Sequence, residues 1–532
     1  MHPSSKRRAH AAPIDERETP PMTDTTSVFA AFRRPALFRK EAMASLVVFL
    51  VALPLCVGVA VASGVPAELG LITGIVGGIV VGLMPGSRLQ VSGPAAGLTV
   101  LVFEAVREFG LGMLGVIVLA TGLLQVVLGW ARCGRWFRAI SVSVVQGMLA
   151  GIGLVLVVGQ LYTVAGAEQP HSGLRKILGI PGLLAETATS GPALTAAGVG
   201  AFTGAVLVAW KKAPARVRAV PAPLAAVALA TAGTAGLGLD VPKVEVQGLL
   251  AAIQPPSLSD LGGLGTLAVL GTVLAFTLIA SAESLFSAAA VDRMHDGPRT
   301  HYDKELVAQG VGNTVCGALG ALPMTAVIVR SSANVQAGAT TQLSRVLHGV
   351  WLLLFTVLWP TAIGVIPLAA LAAVLIHAGC KLIPVKALAQ LWREHRGEAV
   401  ILCATAAAIV TTSMFEGVVL GLLLAVVKCA WETSKVQVTV RELVGGRTVV
   451  ALTGNATFLR LPHILETLEA LPRGRPVELD LTEVRHLDHA CRAALEGWAE
   501  RHREVGTAPV RVREPAAQEA GGAGPGPSAA GG

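Results

Sequence analysis

The chain is dominated by long apolar runs that are separated by short polar loops. Fourteen such runs lie between residues 43 and 431, and most of them have the length that a helix needs to cross a bilayer. This pattern predicts an α-helical polytopic membrane protein with about fourteen transmembrane segments. The predicted segments are 43–63, 68–85, 95–107, 111–130, 139–162, 191–210, 220–238, 263–289, 304–320, 324–337, 346–361, 365–381, 398–413 and 415–431.

The third and tenth segments are too short to span a membrane. Segment 95–107 follows Pro94 and segment 324–337 follows Pro323. Their separation along the chain matches the separation of segments one and eight, which predicts two repeats of seven segments. Because seven is odd, the second repeat is inverted relative to the first. Such short segments expose helix ends at the bilayer midplane, where secondary transporters bind their substrates.

The polar pattern changes after the last apolar run. Residues 436–453 alternate between apolar and polar positions, residues 460–471 and 489–504 read as helices, and 476–482 and 509–513 read as strands. We therefore predict a transmembrane domain at 43–431 and a small α/β domain at 435–514. The polar segment 1–42 and the low-complexity segment 515–532 are predicted to be disordered tails.

Composition supports the membrane class and excludes a nucleic-acid-binding role. Of the 532 residues, 53% are hydrophobic and 14% are charged, where soluble domains average about 25% charged residues. The net charge of +8 lies in short loops after even-numbered segments and near the N-terminus, not on one face. By the positive-inside rule, this distribution predicts an inner (plasma) membrane protein with both termini in the cytoplasm. Arg175 and Lys176, after segment five, are the main exception. The loop residues after even-numbered segments are Arg132, Arg135, Arg138, Lys211, Lys212, Arg216, Arg218, Arg293, Arg299, Lys304, Lys381, Lys386, Arg393 and Arg396.

Two charged residues in the apolar runs are candidates for transport chemistry. Glu283 ends the apolar part of segment eight, and a carboxylate there is costly unless it faces a cavity, a cation or a partner. Arg330 lies in short segment ten and adds a full positive charge beside a helix N-terminus. A structural ion pair between Glu283 and Arg330 is the alternative interpretation. An enzyme is not expected, because the runs hold no His–carboxylate–Ser set and His348 and His377 are isolated.

Several stretches, in order along residues 40–513, resemble the sulfate permease (SulP) family of anion transporters. They are VALPLCVGVAVASGVPAELGLITGIVGGIVVGLM, LQVSGPAAGLTVLV, AESLFSAAAVDRM and ALPMTAVIVRSSANVQAGA. The C-terminal ELDLTEVRHLDHACRAALEGWAERHREVG is similar to a STAS domain. The STAS resemblance carries no phosphorylatable hydroxyl, because the sequence reads Asp488-His489-Ala490-Cys491.

The resemblance implies a core and a gate subdomain, an anion held between half-helices three and ten, and a homodimer that associates through the STAS domains. It implies substrate-binding roles for two positions in segment one and for five positions at the half-helix ends. It also implies a cation-coupling role for Glu283 and for the hydroxyl one turn later. The implied substrate-binding residues are Leu55, Val59, Ala95, Ala96, Val329, Arg330 and Ser331, and the cation-coupling residues are Glu283 and Ser287.

The leading functional hypothesis is a secondary active transporter of small inorganic anions of the sulfate or bicarbonate class. It would act by alternating access, in symport with H+ or Na+, and no cofactor is expected other than Na+ as a coupling ion. The alternative is an uncoupled anion exchanger or channel on the same scaffold. Glu283 argues against that alternative, because an uncoupled path does not need a carboxylate.

Overall fold

The computed structural model describes residues 34–137, 141–170, 172–214, 220–443, 446–472, 475–505 and 509–513. The predicted tail 515–532 and residues 1–33 of the predicted N-terminal tail lie outside this part of the chain. Internal contacts divide the chain into two compact units, Met1–Gly421 and Leu422–Gly532.

Each of the fourteen predicted segments contains a helix in the described part of the chain. The third and tenth helices, 11 and 9 residues long, are too short to span a bilayer. The helices are α1 (Pro35–Ala62), α2 (Ala67–Val76), α3 (Thr99–Phe109), α4 (Leu111–Trp130), α5 (Val142–Val164), α6 (Gly191–Ala209), α7 (Ala222–Gly236), α8 (Leu267–Val291), α9 (Tyr302–Ala318), α10 (Ile328–Gln336), α11 (Leu343–Leu358), α12 (Leu368–Leu382), α13 (Arg396–Thr411) and α14 (Met414–Thr433).

Seven helical stretches of the described chain are long and apolar enough to cross a membrane, and three shorter apolar helices accompany them. Gly77–Val81 extends α2 as a π-helix, and Ala96–Leu98 precedes α3 as a 3-10 helix. Further 3-10 turns are Trp210–Lys212, Gly263–Gly265 and Phe458–Arg460. The remaining short helices are Gly134–Phe137, Gly173–Leu178, Ile180–Thr189, Leu249–Ala252, Leu258–Gly262, Thr361–Gly364 and Val385–Glu394.

Helix α1 begins at Pro35, whereas the sequence places residues up to 42 in a disordered tail. The correction has two physical reasons. Proline suits the first helical turn, and Leu37 and Phe38 pack against Leu343. The buried Glu41 then accepts backbone N–H bonds from Thr340 at 2.8 Å and Thr341 at 3.0 Å, just before α11 begins.

The first unit also contains two three-residue strands that the sequence does not predict. Strand β1 (Ser92–Pro94) pairs antiparallel with β2 (Met324–Ala326), with Gly93 opposite Thr325. Residues 324–326, predicted as the start of segment ten, are therefore extended. Strands this short carry no readable periodicity, and each takes its partner from the other half of the chain.

Helices α4 and α9 pack closely because small residues line their contact. An added Cβ at Gly122 would lie 2.2 Å from the backbone nitrogen of Thr314, and one at Gly129 would lie 2.6 Å from a methyl carbon of Val307. Close approach through small residues is the usual basis of helix packing in membranes. The opposite face of α4 does not take part in the contact with α9.

The second unit is a small α/β domain, as the sequence predicts. Its sheet has the order β3-β4-β5-β6, with β3 and β4 antiparallel and the other pairs parallel. The division between the units falls inside α14, earlier than the predicted end of the transmembrane domain at 431. The elements are β3 (Val436–Glu442), β4 (Thr448–Ala456), α15 (Leu461–Glu469), β5 (Val477–Leu487), α16 (His489–Val505) and β6 (Val510–Arg513).

Candidate anion and cation site

The strand pair brings the N-terminal ends of the two half-helices together. Each strand leads directly into a half-helix, and because β1 and β2 run antiparallel, α3 and α10 leave the pair in opposite directions. The residues that precede the helical turns, Ala95 and Val327, provide no side-chain cap. The backbone N–H groups of a first helical turn have no partner within the helix. The strand pair is therefore flanked by two uncapped, electropositive helix ends.

Buried amide side chains hold the strand pair in place. Asn313 accepts the N–H of Met324 at 2.7 Å and donates to the carbonyl oxygen of the same residue at 3.2 Å. Gln309 donates to the Ser92 hydroxyl at 2.7 Å. Non-helical backbone at membrane depth needs such internal partners, because lipid provides none. Both amides lie on α9, where the sequence signals them only as amides in an apolar run.

Helix α8 is fixed to β2 by a similar contact. The Ser284 hydroxyl accepts the N–H of Ala326 at 3.2 Å, and the Ser284 carbonyl oxygen accepts the Gln90 side chain at 2.9 Å. Gln125 of α4 joins the two sets of contacts, because it donates to the Ser281 hydroxyl at 3.1 Å and accepts from Asn313 at 2.8 Å. These contacts fix α8, the helix that carries Glu283, to β2, to Gln90 just before β1 and to α4.

Arg330 is fully buried in the first turn of α10 and points across to β1. Its Nη2 donates to the Pro94 carbonyl oxygen at 3.3 Å, while Nε and Nη1 have no hydrogen-bond partner. An added Cβ at Gly93 would lie 2.2 Å from Nη1, so this glycine makes room for the guanidinium. A buried guanidinium with unused donors is costly unless an acceptor joins it. The arginine is therefore suited to an oxyanion that binds at the strand pair.

Arg330 forms no ion pair with Glu283 within the described part of the chain. The side-chain contacts therefore do not support the interpretation of Arg330 and Glu283 as a structural ion pair. Each charge has its own surroundings, with Arg330 on the strand β1 backbone and Glu283 beside the first turn of half-helix three.

Both residues of the predicted pair in α1 are buried in clusters that reach a half-helix. Val59 is buried with Leu156 and Leu375, and Ala96 packs against this group. Leu55 is buried in the large hydrophobic core that includes Leu352 and Leu371. The structure thus joins Val59 to the start of half-helix three, and Leu55 belongs to a cluster against which Ala333 of half-helix ten packs. Ala95, at the end of β1, is also buried.

The three predicted residues of half-helix ten have different surroundings. Val329 is 43% exposed, whereas Arg330 and Ser331 are fully buried. The Ser331 hydroxyl donates to the Val327 carbonyl oxygen at 2.8 Å and accepts the N–H of Val91 at 2.9 Å. Ser331 therefore joins Val91, just before β1, to the first turn of α10. Its hydroxyl proton is already used in the bond to Val327. Of the three, Arg330 has the donors that a ligand needs.

The Glu283 carboxylate lies against the first turn of half-helix three. An added Cβ at Gly97 would lie 2.6 Å from Oε1 and 2.7 Å from Oε2. Oε2 is buried and has no hydrogen-bond partner. The positive end of a helix attracts a nearby negative charge, so the N-terminus of α3 is a favourable neighbour for a carboxylate. The same helix end is the one that the sequence assigns to the anion.

Hydroxyl groups lie near this carboxylate in sequence and in structure. Ser287 is buried one helical turn after Glu283, on the same face of α8. Thr325 of β2 is in side-chain contact with Glu283. Thr99, in the first turn of α3, is buried and its hydroxyl has no partner. Thr99 and Thr325 were not among the residues predicted from the sequence; the available signal was a threonine within five residues after each half-helix proline.

These contacts coincide with a match to a known family. The model of the sulfate permease family matches residues 38–405, which is more than half of the chain. The chain belongs to the sulfate permease family. As a member, it is a polytopic membrane transporter of anions and not an enzyme, which confirms these two predictions from the sequence.

Similar sulfate permease family members include proteins from bacteria. The chain is 29% identical over 403 residues to YvdB of Bacillus subtilis, and the match covers 73% of each chain. YvdB is described by its name as a sulfate transporter. It is 24% identical over 381 residues to the bicarbonate transporter BicA of Picosynechococcus, covering 65% of this chain and 62% of BicA.

Solved structures show the same fold. The transmembrane domain of a cyanobacterial bicarbonate transporter, BicA, matches with a TM-score of 0.60 at 22% identity, over 73% of this chain and 97% of that domain. Murine Slc26a9, an anion transporter solved in the inward-facing state, matches with a TM-score of 0.72 at 13% identity, over 96% of this chain and 93% of Slc26a9. The predicted fold class is confirmed by these structures.

Proposed function

We propose that this sulfate permease family member is a secondary active transporter that moves a small inorganic oxyanion together with a cation. The anion would bind between the N-terminal ends of α3 and α10, and the cation, H+ or Na+, would bind at Glu283. The observation that carries the proposal is the fully buried Arg330, whose Nε and Nη1 have no hydrogen-bond partner beside two uncapped helix ends.

The donor set of this site suits an oxyanion. A guanidinium binds planar or tetrahedral oxyanions through two parallel N–H bonds, and the helix ends add further N–H donors. Ala95, Ala96 and Gly97 keep side chains away from the first turn of α3, and the exposed Val329 leaves open space before α10. Sulfate and bicarbonate are the proposed substrates, in agreement with the names of the relatives described above.

The position of Glu283 supplies a physical reason for coupling. The carboxylate and the proposed anion share one electropositive helix end, so binding of the anion places two negative charges close together. At low effective dielectric, that repulsion amounts to several kcal/mol. A proton on the carboxylate, or a sodium ion beside it, removes the repulsion. By linkage, the anion then strengthens cation binding by the factor with which the cation strengthens anion binding.

Both coupling ions suit the residues of the site. The unpartnered Oε2 of Glu283 could accept a proton directly. Sodium prefers oxygen ligands. The hydroxyl of Ser287 lies one helical turn after Glu283, and Thr325 is in side-chain contact with Glu283. The unpartnered hydroxyl of Thr99 lies in the first turn of α3, the helix whose start faces Glu283. Either ion therefore fits the proposed coupling site.

Alternating access would require the site to be closed on one side at a time. The start of α3 packs against α5 and α13, where Val100, Val155 and Val410 form an apolar cluster with Ile177. Near the same end, the Lys176 ammonium lies 4.9 Å from the centre of the Phe103 ring. We propose that this cluster closes the path on the non-cytoplasmic side.

The remaining parts of the proposal concern topology and assembly. The basic loops after even-numbered segments support cytoplasmic termini in the plasma membrane. The four-stranded sheet with two helices in the second unit supports a cytoplasmic STAS domain spanning 435–514. A homodimer through this domain is proposed by analogy with the family.

The test is uptake of labelled sulfate and labelled bicarbonate into proteoliposomes that contain the full chain. Sodium and proton gradients are imposed independently, each with the other collapsed. The proposal expects accumulation of one anion above its external concentration when one of the two gradients is present. Exchange that only equalises anion concentrations under every gradient would instead establish an uncoupled exchanger or channel. No transport of either anion would remove both from the substrate class.

A further inference from the structure

A cavity of about 510 Å³ lies at the membrane surface that carries the basic loops, outside the proposed transport site. It is bounded by the ends of α2 and α4 and by the start of α9. Two cationic side chains line it, Arg132 just after the end of α4 and Lys304 in the first turn of α9, together with His301 and the aromatic Trp130 and Tyr302. Both cations are exposed. Asp303 also lines the cavity, and its carboxylate already accepts the backbone N–H of Gly134 at 2.9 Å.

The backbone at Arg132 is unusual for an arginine. It is the only non-glycine residue with a positive φ, 58°, in the described part of the chain. The N–H of Cys133 bonds to the Leu128 carbonyl oxygen and the N–H of Arg132 to that of Gly129, which is the Schellman ending of a helix. Glycine is the favoured residue at this position. The backbone conformation at this position is unfavourable for an arginine. The Arg132 side chain lines the cavity.

An apolar stripe leads from the membrane interior to the same cavity. Leu123, Val127 and Trp130 are 51%, 56% and 75% exposed, and their spacing of four and three residues places them on one face of α4. The opposite face of α4 packs on α9 through glycines. The stripe is therefore free to contact acyl chains, and Trp130 lies at its end, where tryptophan is enriched at membrane interfaces.

We propose that this cavity binds the phosphate headgroup of an anionic phospholipid, with one acyl chain along the Leu123–Val127–Trp130 stripe. Arg132 and Lys304 would contact the phosphate. Basic pockets between transmembrane helices at the cytoplasmic surface have the chemistry for such headgroups. The combination of a cation pair with an adjoining lipid-facing stripe favours a lipid over a soluble phosphate compound, which would use the cations alone.

The test measures binding to the purified full chain in detergent by native mass spectrometry and thermal unfolding. The probes are dioleoyl phosphatidylglycerol, dioleoyl phosphatidylcholine and inorganic phosphate. The variant R132G/K304Q removes both cations, and glycine at 132 suits the positive φ, so that folding is preserved. The control K211Q/K212Q removes two exposed lysines from another basic loop. A second variant, V127S, leaves the cations intact and makes the stripe more polar.

We expect phosphatidylglycerol to bind and to raise the Tm of the wild-type chain and of the control. R132G/K304Q should weaken its binding by on the order of 30-fold, from the contribution of each cation near a membrane surface. V127S should weaken it less. Equal loss in the control and in R132G/K304Q would overturn the proposal, as would unchanged binding in R132G/K304Q. Inorganic phosphate that raises the Tm of the wild-type chain as much as the lipid does, but not the Tm of R132G/K304Q, would also overturn it, in favour of a soluble ligand in the same cavity.

Discussion

The carboxylate of Glu283 lies directly against the Cα of Gly97, so that a methyl group at position 97 would come within 2.6 Å of Oε1. These residues are 186 positions apart in the sequence (283 − 97) and belong to different repeats. Their contact places the proposed cation site against the helix end that is proposed to bind the anion. The first three predictions test this arrangement.

The contact between Gly97 and Glu283 should be sensitive to a single methyl group. We expect Gly97→Ala to displace the carboxylate and to lower gradient-driven uptake by on the order of 10- to 100-fold, as for other displacements of about 1 Å. Gly204→Ala is the matched control, because nothing lies within 4 Å of its added Cβ. Uptake is measured in proteoliposomes after both proteins are shown to fold. Equal activity of the two variants would show that the contact is unimportant.

Glu283→Gln keeps the shape of the side chain and removes its charge. If Glu283 couples transport to a cation, accumulation against a gradient is lost while downhill anion exchange partly survives. The control is Glu104→Gln, which changes a glutamate in the middle of half-helix three. If the role of Glu283 is only structural, the Gln variant should fold poorly. A well-folded Gln variant that still concentrates anion would contradict the coupling proposal.

Arg330 is expected to bind the anion through donors that the protein leaves unused. Arg330→Lys retains the charge but loses the planar donor geometry, and we expect KM to rise by about tenfold or more. Gly93→Ala should act in the same direction, because its Cβ would lie 2.2 Å from Nη1. Initial uptake rates over a range of anion concentrations measure this effect. A change confined to kcat in both variants would argue against a direct contact with the anion.

Truncation before Lys435 removes the predicted STAS domain and leaves the membrane domain. We expect the truncated chain to insert normally and to form fewer dimers, because the proposed homodimer associates through that domain. Chemical cross-linking in membranes, compared with the full chain at the same expression level, measures the difference. Cross-linking as efficient as that of the full chain would assign the dimer contact to the membrane domain.

Asp488 holds together the start of α16 and the turn before α15. It accepts the N–H of Cys491 at 2.7 Å and of Phe458 at 2.5 Å. Desolvation raises the pKa of this carboxyl, but the hydrogen bonds from Cys491 and Phe458 outweigh it, so that the pKa is lower than the ordinary 3.8. Its stabilising contribution is therefore complete above pH 3.8 and is lost as the pH falls through the lower folded-state pKa.

Two substitutions separate the helix cap from the titration of Asp488. Asp488→Ala should destabilise the second unit by about 0.5–2 kcal/mol at neutral pH, the usual cost of a lost N-cap. Asp488→Asn keeps an acceptor and should remove the acid-dependent part. Hydrogen exchange of α16 peptides, corrected for the intrinsic effect of pH, measures both. An unchanged acid dependence in Asp488→Asn would show that another group is responsible.

Much of the fold follows from local patterns in the sequence. The apolar runs predict all fourteen helices, and Pro94 and Pro323 mark the two half-helices, because lipid forces each spanning segment to satisfy its own backbone. The alternation of apolar and polar positions over residues 436–453 is typical of strands, and the structure has β3 and β4 there. Helix α1 is the exception: its start at Pro35 depends on packing of Leu37 and Phe38 against Leu343, far along the chain.

The sequence by itself determined which residue types are available to the site: glycines and alanines at one half-helix, Arg330 at the other, and Glu283 on a spanning helix. Only the tertiary structure decided how they combine. The strand pair, the neighbour of Glu283, the use of the Ser331 hydroxyl and the direction of Arg330 all depend on contacts between the two repeats. Periodicity reports the face that a residue occupies on its own helix, whereas a site assembled from distant segments depends on which faces meet.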